Sequence, residues 1–417
     1  MIRLAIIGCG GMGHRHLYGL AELHQAGLSQ FELIGVCDPV RANAESLADQ
    51  AAERFGHRPT VTTDLESLAG LQVEAVDITT TPPFHHSVAI EALQRGWHTM
   101  LEKPMGLTVR ACNLIRQATR ESDRVLSVAE NYRRDPINRL AKALLEAGAI
   151  GQPRLLMQQS IGGRNLMVIS VWRHQKNQSG VLIDVGVHYT DMMEYLLGEV
   201  TTVYAQTRLH EPIRLNPVAE GQAPTSNPAG VYGRWQKEMP AQFEATAEDA
   251  AYATLTFKNG AVGHYVEDHA GHGQNVWLRH IYGSAGSMAL PNDRSGGVIS
   301  LNLAGKEISG EALLQLVPDF RLDRATATLF GGERLWRYEF PFAETDRKII
   351  AIEYADFAGA ILGERPVEVG VDQGARAVAI SYAMLESGRL GQPLTVEAVL
   401  NEEVDGYQQD INESLGL

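Results

Sequence analysis

Over the first 130 residues, short apolar runs alternate with helical stripes. Residues 3–7 form a buried-strand run, followed by glycines and a helical stripe through Leu17, Leu20 and Leu23. Residues 31–37 read as a second strand that ends at Asp38-Pro39, and an Ala-rich helix follows to about Phe55. A third strand is expected near 59–61, then a short helix starting near Thr63-Asp64, where either side chain can cap. Residues 74–79 form a strand, followed by a helix that ends near Gly96; strands at 98–102 and 125–130 enclose a helix over 109–120. Strands alternating with helices in this way predict parallel βαβ units and a doubly wound sheet covered on both faces.

After about Arg134 the grammar changes. Helices are expected over 137–147 and 184–197, each closed by a glycine (Gly148, Gly198), with a strand near 154–160 between them. Strand signals then follow one another at 201–209, 250–257, 261–268, 276–282 and 287–290, with Lys258-Asn259-Gly260 as a hairpin turn. Strands without regular crossover helices predict an α+β unit with a largely antiparallel open sheet. The expected division is a doubly wound domain over 1–133 and a larger α+β domain over 134–417. Within the second, residues 211–247 hold five of the 17 prolines and few periodic apolar positions, and are expected to form a loop insertion.

Composition narrows the partners. With 36 Lys plus Arg against 50 Asp plus Glu, the net charge is −14, and no basic block exceeds Arg133-Arg134. Polyanion binding needs a cationic footprint, so nucleic acid is not expected as a partner. The longest apolar runs fall short of a membrane span, and the short apolar run before the first glycines does not resemble an export signal. Three cysteines, Cys9, Cys37 and Cys112, cannot all pair, which fits a reducing cytoplasm.

The chemistry starts at Gly8-Cys9-Gly10-Gly11-Met12-Gly13, a G-x-G-x-x-G pattern between a strand and a helix. Gly8 permits the tight turn and Gly10 lets backbone amides approach a pyrophosphate. Gly13 lets the helix pack close to the strand. The competing reading is a glycine turn that merely packs. An acidic residue should close the second strand to bind the adenosine ribose, and Asp38 does. Its carboxylate favours NAD over NADP, although Arg41 is near enough in sequence to pair with a 2′-phosphate.

Ligands of a doubly wound sheet sit beyond the strand carboxyl ends. The segments leaving those ends carry Thr79, Thr81, Pro82 and His86, then Glu102-Lys103-Pro104, then Asn131, Tyr132 and Arg133. Lys103 at a strand end can stabilise a developing alkoxide; the alternative is a solvated loop lysine. In the helix expected over 184–197, Asp184, His188 and Asp191 share a face, beside an apolar stripe of Val185, Tyr189, Met192 and Leu196. A carboxylate beside an imidazole suits a general base, but it equally suits a cap and an ion pair.

These residues together resemble the glucose–fructose oxidoreductase, inositol dehydrogenase and rhizopine-catabolism (MocA-like) family. The resemblance is carried by Gly8 to Gly13 with His16, Asp38-Pro39, Thr81-Pro82 with His86, and Glu102-Lys103-Pro104. It continues through Gly148 to Gly151, Trp172-Arg173, Gly180 to Asp191 and Ile281 to Gly286. It implies an NAD(P)-dependent enzyme with a Rossmann domain and a C-terminal open-sheet domain that pairs subunits into a homodimer or homotetramer. It places the catalytic lysine at Lys103 and the catalytic Asp and His at Asp184 and His188. His188 would take a substrate hydroxyl proton, Asp184 would orient it, and Lys103 would polarise the oxygen. Ser179 departs from the pattern, standing where many members have glycine. Glu102 and Asn131 join the expected cofactor residues, while Tyr132, Arg164, Trp172 and Arg173 are expected donors to a sugar or polyol. His264, His269 and His272 lack zinc-ligand spacing, and no metal is expected. The expected activity is hydride transfer between a secondary alcohol of a sugar, glycoside or polyol and NAD. Two alternatives stand beside it: a glycosidase using bound NAD for transient oxidation and elimination, and a non-catalytic dinucleotide sensor.

Overall fold

The computed structural model describes residues 1–224 and 227–417. Thr225 and Ser226, inside the expected 211–247 insertion, lie outside the described residues. The chain separates into two compact units, Met1–Asn131 with Ala343–Ala375, and Tyr132–Phe342 with Arg376–Leu417.

In the first unit the strands are β1 (Ile2–Ile7), β2 (Phe31–Cys37), β3 (Thr60–Thr62), β4 (Ala75–Ile78), β5 (His98–Glu102) and β6 (Leu126–Ala129). Among the described residues they form one parallel sheet in the order β3-β2-β1-β4-β5-β6. Leu4 to Ile7 are buried on both sides of the pleat, as a sheet covered on both faces requires. The order reverses between β1 and β4, so the segments leaving these strands diverge and open a crevice at their carboxyl ends. Helices Gly11–Gln25, Arg41–Phe55, His85–Gln94 and Val109–Ser122 fall close to their expected places. The short helix Leu65–Ala69 is capped by Asp64, which accepts from the Ser67 amide at 2.7 Å.

A single cut at 133/134 omits the return of residues 343–375 to this unit. The helix Phe342–Ile361 presents Phe357 to Phe31 with ring centroids 5.8 Å apart. It also approaches the first helix so closely that a Cβ on Gly19 would stand 2.4 Å from Ile350 Cγ2. Arg15 makes two bonds to Asp346, at 2.9 and 2.6 Å. Apolar periodicity identifies a helix's buried face but does not say which sheet it covers.

The second unit contains β7 (Pro153–Gly163), β8 (Val200–Arg208), β9 (Ile213–Leu215), β10 (Gln242–Glu244), β11 (Ala250–Phe257) and β12 (Val262–Gly271). It continues with β13 (Val276–Gly283), β14 (Gly286–Leu290), β15 (Ser300–Leu303), β16 (Lys306–Ser309) and β17 (Leu394–Thr395). The large sheet runs β16-β15-β14-β13-β7-β12-β11-β8-β17, antiparallel except for the parallel β7–β12 pair. The expected hairpin joins β11 and β12, with Gly260 at φ +85°.

The expected insertion over 211–247 contains regular structure among its described residues: β9 and β10 pair, and a helix spans Gly233–Glu238. The segment is pinned by buried polar bonds, which apolar patterning cannot reveal. Arg214 donates to Asp249 Oδ2 at 2.7 Å and to the Arg164 carbonyl at 2.7 Å, and Asn216 Nδ2 donates to the Gln236 carbonyl at 2.8 Å. The helix expected over 184–197 is two pieces, Val181–Asp184 and Gly186–Leu197, meeting at Val185.

Candidate active site

The glycine loop has the geometry its residue types imply. Gly8 takes φ +97°, and a Cβ there would lie 2.7 Å from the Thr79 carbonyl carbon; a Cβ on Gly13 would lie 2.3 Å from the Gly8 oxygen. Neither site tolerates a side chain. Gly10 differs, because a Cβ on it would meet nothing within 4 Å. Protein crowding therefore does not explain that glycine, and the space over it is what a pyrophosphate needs. Gly11 begins the helix, and its N-cap residue, Gly10, has no side chain with which to cap it.

Asp38 is buried and braces the same loop. Its Oδ2 accepts from the Cys9 amide at 2.8 Å and its Oδ1 from the Val40 amide at 2.8 Å. A carboxylate has about four lone-pair sites, so acceptor capacity remains for a ribose hydroxyl. Arg41 is on the surface, 3.5 Å from Glu45.

Beyond the other strand ends, Thr79 Oγ1 donates to the Gly8 oxygen at 2.6 Å, which makes it part of the loop's scaffold. Its neighbour Thr80, passed over in the sequence, buries an Oγ1 without a hydrogen-bond partner, as do His86 at Nδ1 and Asn131 at Oδ1. Buried polar atoms are normally paired, so orphans at strand carboxyl ends fit a bound polar ligand. Burial pushes the His86 imidazole pKa down, which favours the neutral ring. Pro82 is buried at the start of a turn that Thr81 precedes. His85 was also passed over; its ring nitrogens lie 2.7 Å from the Pro104 carbonyl and 3.1 Å from that of Thr80. Lys103 is half-buried, and its bond to Pro104 is cis. Glu102 Oε1 faces His16 Nε2 at 3.0 Å. Burial raises the Glu102 carboxyl, but the bond and charge of His16, then Lys103 and Arg15, hold it below its ordinary range.

In the second unit, Asp184 and His188 are both buried. Gly180, at φ +72°, starts the helix that carries Asp184; a Cβ on it would stand 2.8 Å from the Ala247 Cβ. Asp184 Oδ2 accepts from Arg173 Nε at 2.7 Å, while Arg173 also donates to Ser170 Oγ at 2.9 Å and stacks over Trp172 at 4.1 Å. Ser179 is buried with an unpartnered hydroxyl. Tyr132 lies flat on His188, centroids 4.2 Å apart and planes 4° from parallel, which fixes the imidazole plane. Asp191 is held by both arms of Arg133 at 2.5 Å, so it is an ion-pair partner. Tyr189 is buried, and that burial raises its phenol far above the ordinary range. Arg164 is exposed at φ +57°. His269 faces Glu267 at 2.7 Å and His272 faces Glu211 at 2.9 Å. Among the described residues, no three His, Cys, Asp or Glu side chains group as a metal site would require.

Comparison with known proteins converges on one assignment. Residues 2–130 match the profile described as an oxidoreductase family, NAD-binding Rossmann fold; residues 142–396 match the same family's C-terminal alpha/beta domain. The chain is 32% identical over 308 residues to levoglucosan dehydrogenase from Pseudarthrobacter phenanthrenivorans, covering 70% of this chain and 74% of the relative. It is 22% identical over 399 residues to D-glucoside 3-dehydrogenase from Escherichia coli, covering 93% and 96%. A solved levoglucosan dehydrogenase in complex with NADH and levoglucosan superimposes with a TM-score of 0.74 at 25% identity, covering 95% of this chain and 99% of that one. The glycine loop, the acidic end of β2 and both profiles agree: the chain belongs to the glucose–fructose oxidoreductase, inositol dehydrogenase and MocA-like family of oxidoreductases, with an N-terminal NAD-binding Rossmann fold.

Proposed function

We propose that the protein is an NAD-dependent dehydrogenase that oxidises a secondary alcohol of a sugar, glycoside or polyol, or reduces the corresponding ketone. The observation that carries this reading is the match to levoglucosan dehydrogenase over most of both chains. The stacked and buried His188 and the buried Arg173–Asp184 pair support it further, since both suit a polar substrate.

Gly8 to Gly13 and Asp38 would hold the dinucleotide, with Thr80, His86 and Asn131 offering it polar contacts. Bound NAD supplies the hydride acceptor. His188 takes the hydroxyl proton at a ring nitrogen, on a ring plane set by Tyr132. Asp184, held by Arg173, provides negative charge on the helical turn before it. Lys103 stabilises the oxygen as it becomes an alkoxide. Trp172 and Arg173 line the substrate side. The same reading makes the protein a cytoplasmic homodimer or homotetramer, and the three buried free thiols fit a reducing compartment.

Removing a general base costs about 10²–10⁴-fold. The His188→Ala and Lys103→Ala variants should therefore each lower kcat by about that factor. NAD affinity, measured by fluorescence titration, should stay near that of the parent. Full turnover in either variant would refute the assigned role.

A further inference from the structure

Behind the glycine loop, the first unit contains a buried charged cluster around His16. His16 is fully buried on the first helix. Its Nδ1 lies 2.9 and 3.1 Å from the two oxygens of Asp77, and its Nε2 lies 3.0 Å from Glu102 Oε1. The Tyr354 hydroxyl donates to the same Asp77 at 2.5 Å, and its ring meets His16 edge-on with centroids 6.1 Å apart. Asp77 is in the middle of the sheet on β4 and Glu102 ends β5, one residue before Lys103.

A neutral imidazole has one donor and one acceptor, so it cannot donate to a carboxylate at each end. Two buried carboxylates with no cation between them would also be costly. We propose that His16 is a permanent imidazolium and a positioning residue. It clamps Glu102 to Asp77, and so fixes the strand end from which Lys103 projects. Burial by itself would deprotonate His16, but the charges and bonds of Asp77 and Glu102 outweigh it and hold the ring protonated well above its usual range. Tyr354, Arg15 and Lys103 also face the cluster, with Glu353 acting on Tyr354 and His85 within electrostatic reach of Glu102. Tyr354 arrives from the returning helix, which gives residues 343–375 a task in the first unit beyond covering its sheet.

The consequence for catalysis rests on Lys103 as the group that stabilises the alkoxide. A misplacement of about 1 Å can cost on the order of 10²-fold in rate. His16→Gln, which can satisfy only one carboxylate as a donor, should lower kcat about 10- to 100-fold with substrate KM within about two-fold. Tyr354→Phe leaves the His16–Glu102 bond intact and should keep kcat within about two-fold of the parent, even where its melting temperature falls as far.

The direct test needs no turnover. In the full-length protein with ¹⁵N-labelled histidines, the resonance lost in His16→Gln should show both ring nitrogens protonated throughout the range from pH 6 to 9. A neutral His16 anywhere in that range would overturn the proposal, even if the variant did not fold well enough for kinetics. A protonated His16 with unchanged kcat in a folded His16→Gln would overturn the positioning role. Activity retained in Lys103→Ala would refute the catalytic reading instead, and leave the imidazolium signature in place.

Discussion

Asp38 shows how a single residue serves both fold and ligand. Its carboxylate braces the Cys9 and Val40 amides and still has capacity for a ribose. Asp38→Ala should weaken NAD binding by about 10-fold or more and narrow the preference over NADP, because the group that repels a 2′-phosphate is gone. Titration with each cofactor measures both effects. His174 supplies a pH dependence. Burial first, then electrostatic interaction with Arg214, His269 and Arg173, pushes its imidazole down to about 3, and its Nε2 accepts from the Val168 amide at 2.9 Å. The unfolded chain protonates this ring below about pH 6.5, while the native chain leaves it neutral until near pH 3. The unfolded state therefore binds the extra proton between those values, and acid lowers stability across that window. His174→Gln keeps an acceptor for the Val168 amide without a titrating group, so denaturation midpoints should fall less steeply from pH 6.5 to 4. Parallel slopes for the two proteins would contradict this.

Among the elements, the first helix makes a close backbone approach to the β1 turn. Gly13→Ala would place a Cβ 2.3 Å from the Gly8 oxygen, a backbone atom that cannot rotate away. Overpacking of this kind costs about 1–3 kcal/mol, and it should loosen NAD binding as well. Denaturation and cofactor titration of the one variant test both effects. Here the sequence was easily legible: strands β2 and β5 and β11 fall where apolar runs begin and end, and the glycine spacing marks the loop. Legibility ended where polar bonds over long sequence separations do the holding. Asp77 sits inside a buried apolar run, a signal that something pairs with it. Its partners His16 and Tyr354 are 61 and 277 residues away, beyond any local pattern. Arg214 and Asp249 order the 211–247 segment in the same way, and proline content alone pointed to a loop. Residue type and spacing single out Asp184, His188 and Lys103, whereas Asp184's bond to Arg173 and His188's stack on Tyr132 emerge only from the fold.

For the molecule as a whole, the charge of −14 does not select the ligand. A dinucleotide must be drawn by local features: the open helix end over Gly10, and unpartnered polar atoms at strand ends. The proposed reaction is hydride transfer from a carbohydrate alcohol to NAD. The most direct measurement is stopped-flow absorbance at the NADH band, with purified protein, NAD, and a panel of sugars, anhydrosugars, glycosides and inositols. At least one member should give NADH that accumulates with turnover, and His188→Ala should abolish most of that rate. No reduction of NAD by any member of the panel, or glycoside cleavage without net NADH, would contradict the account.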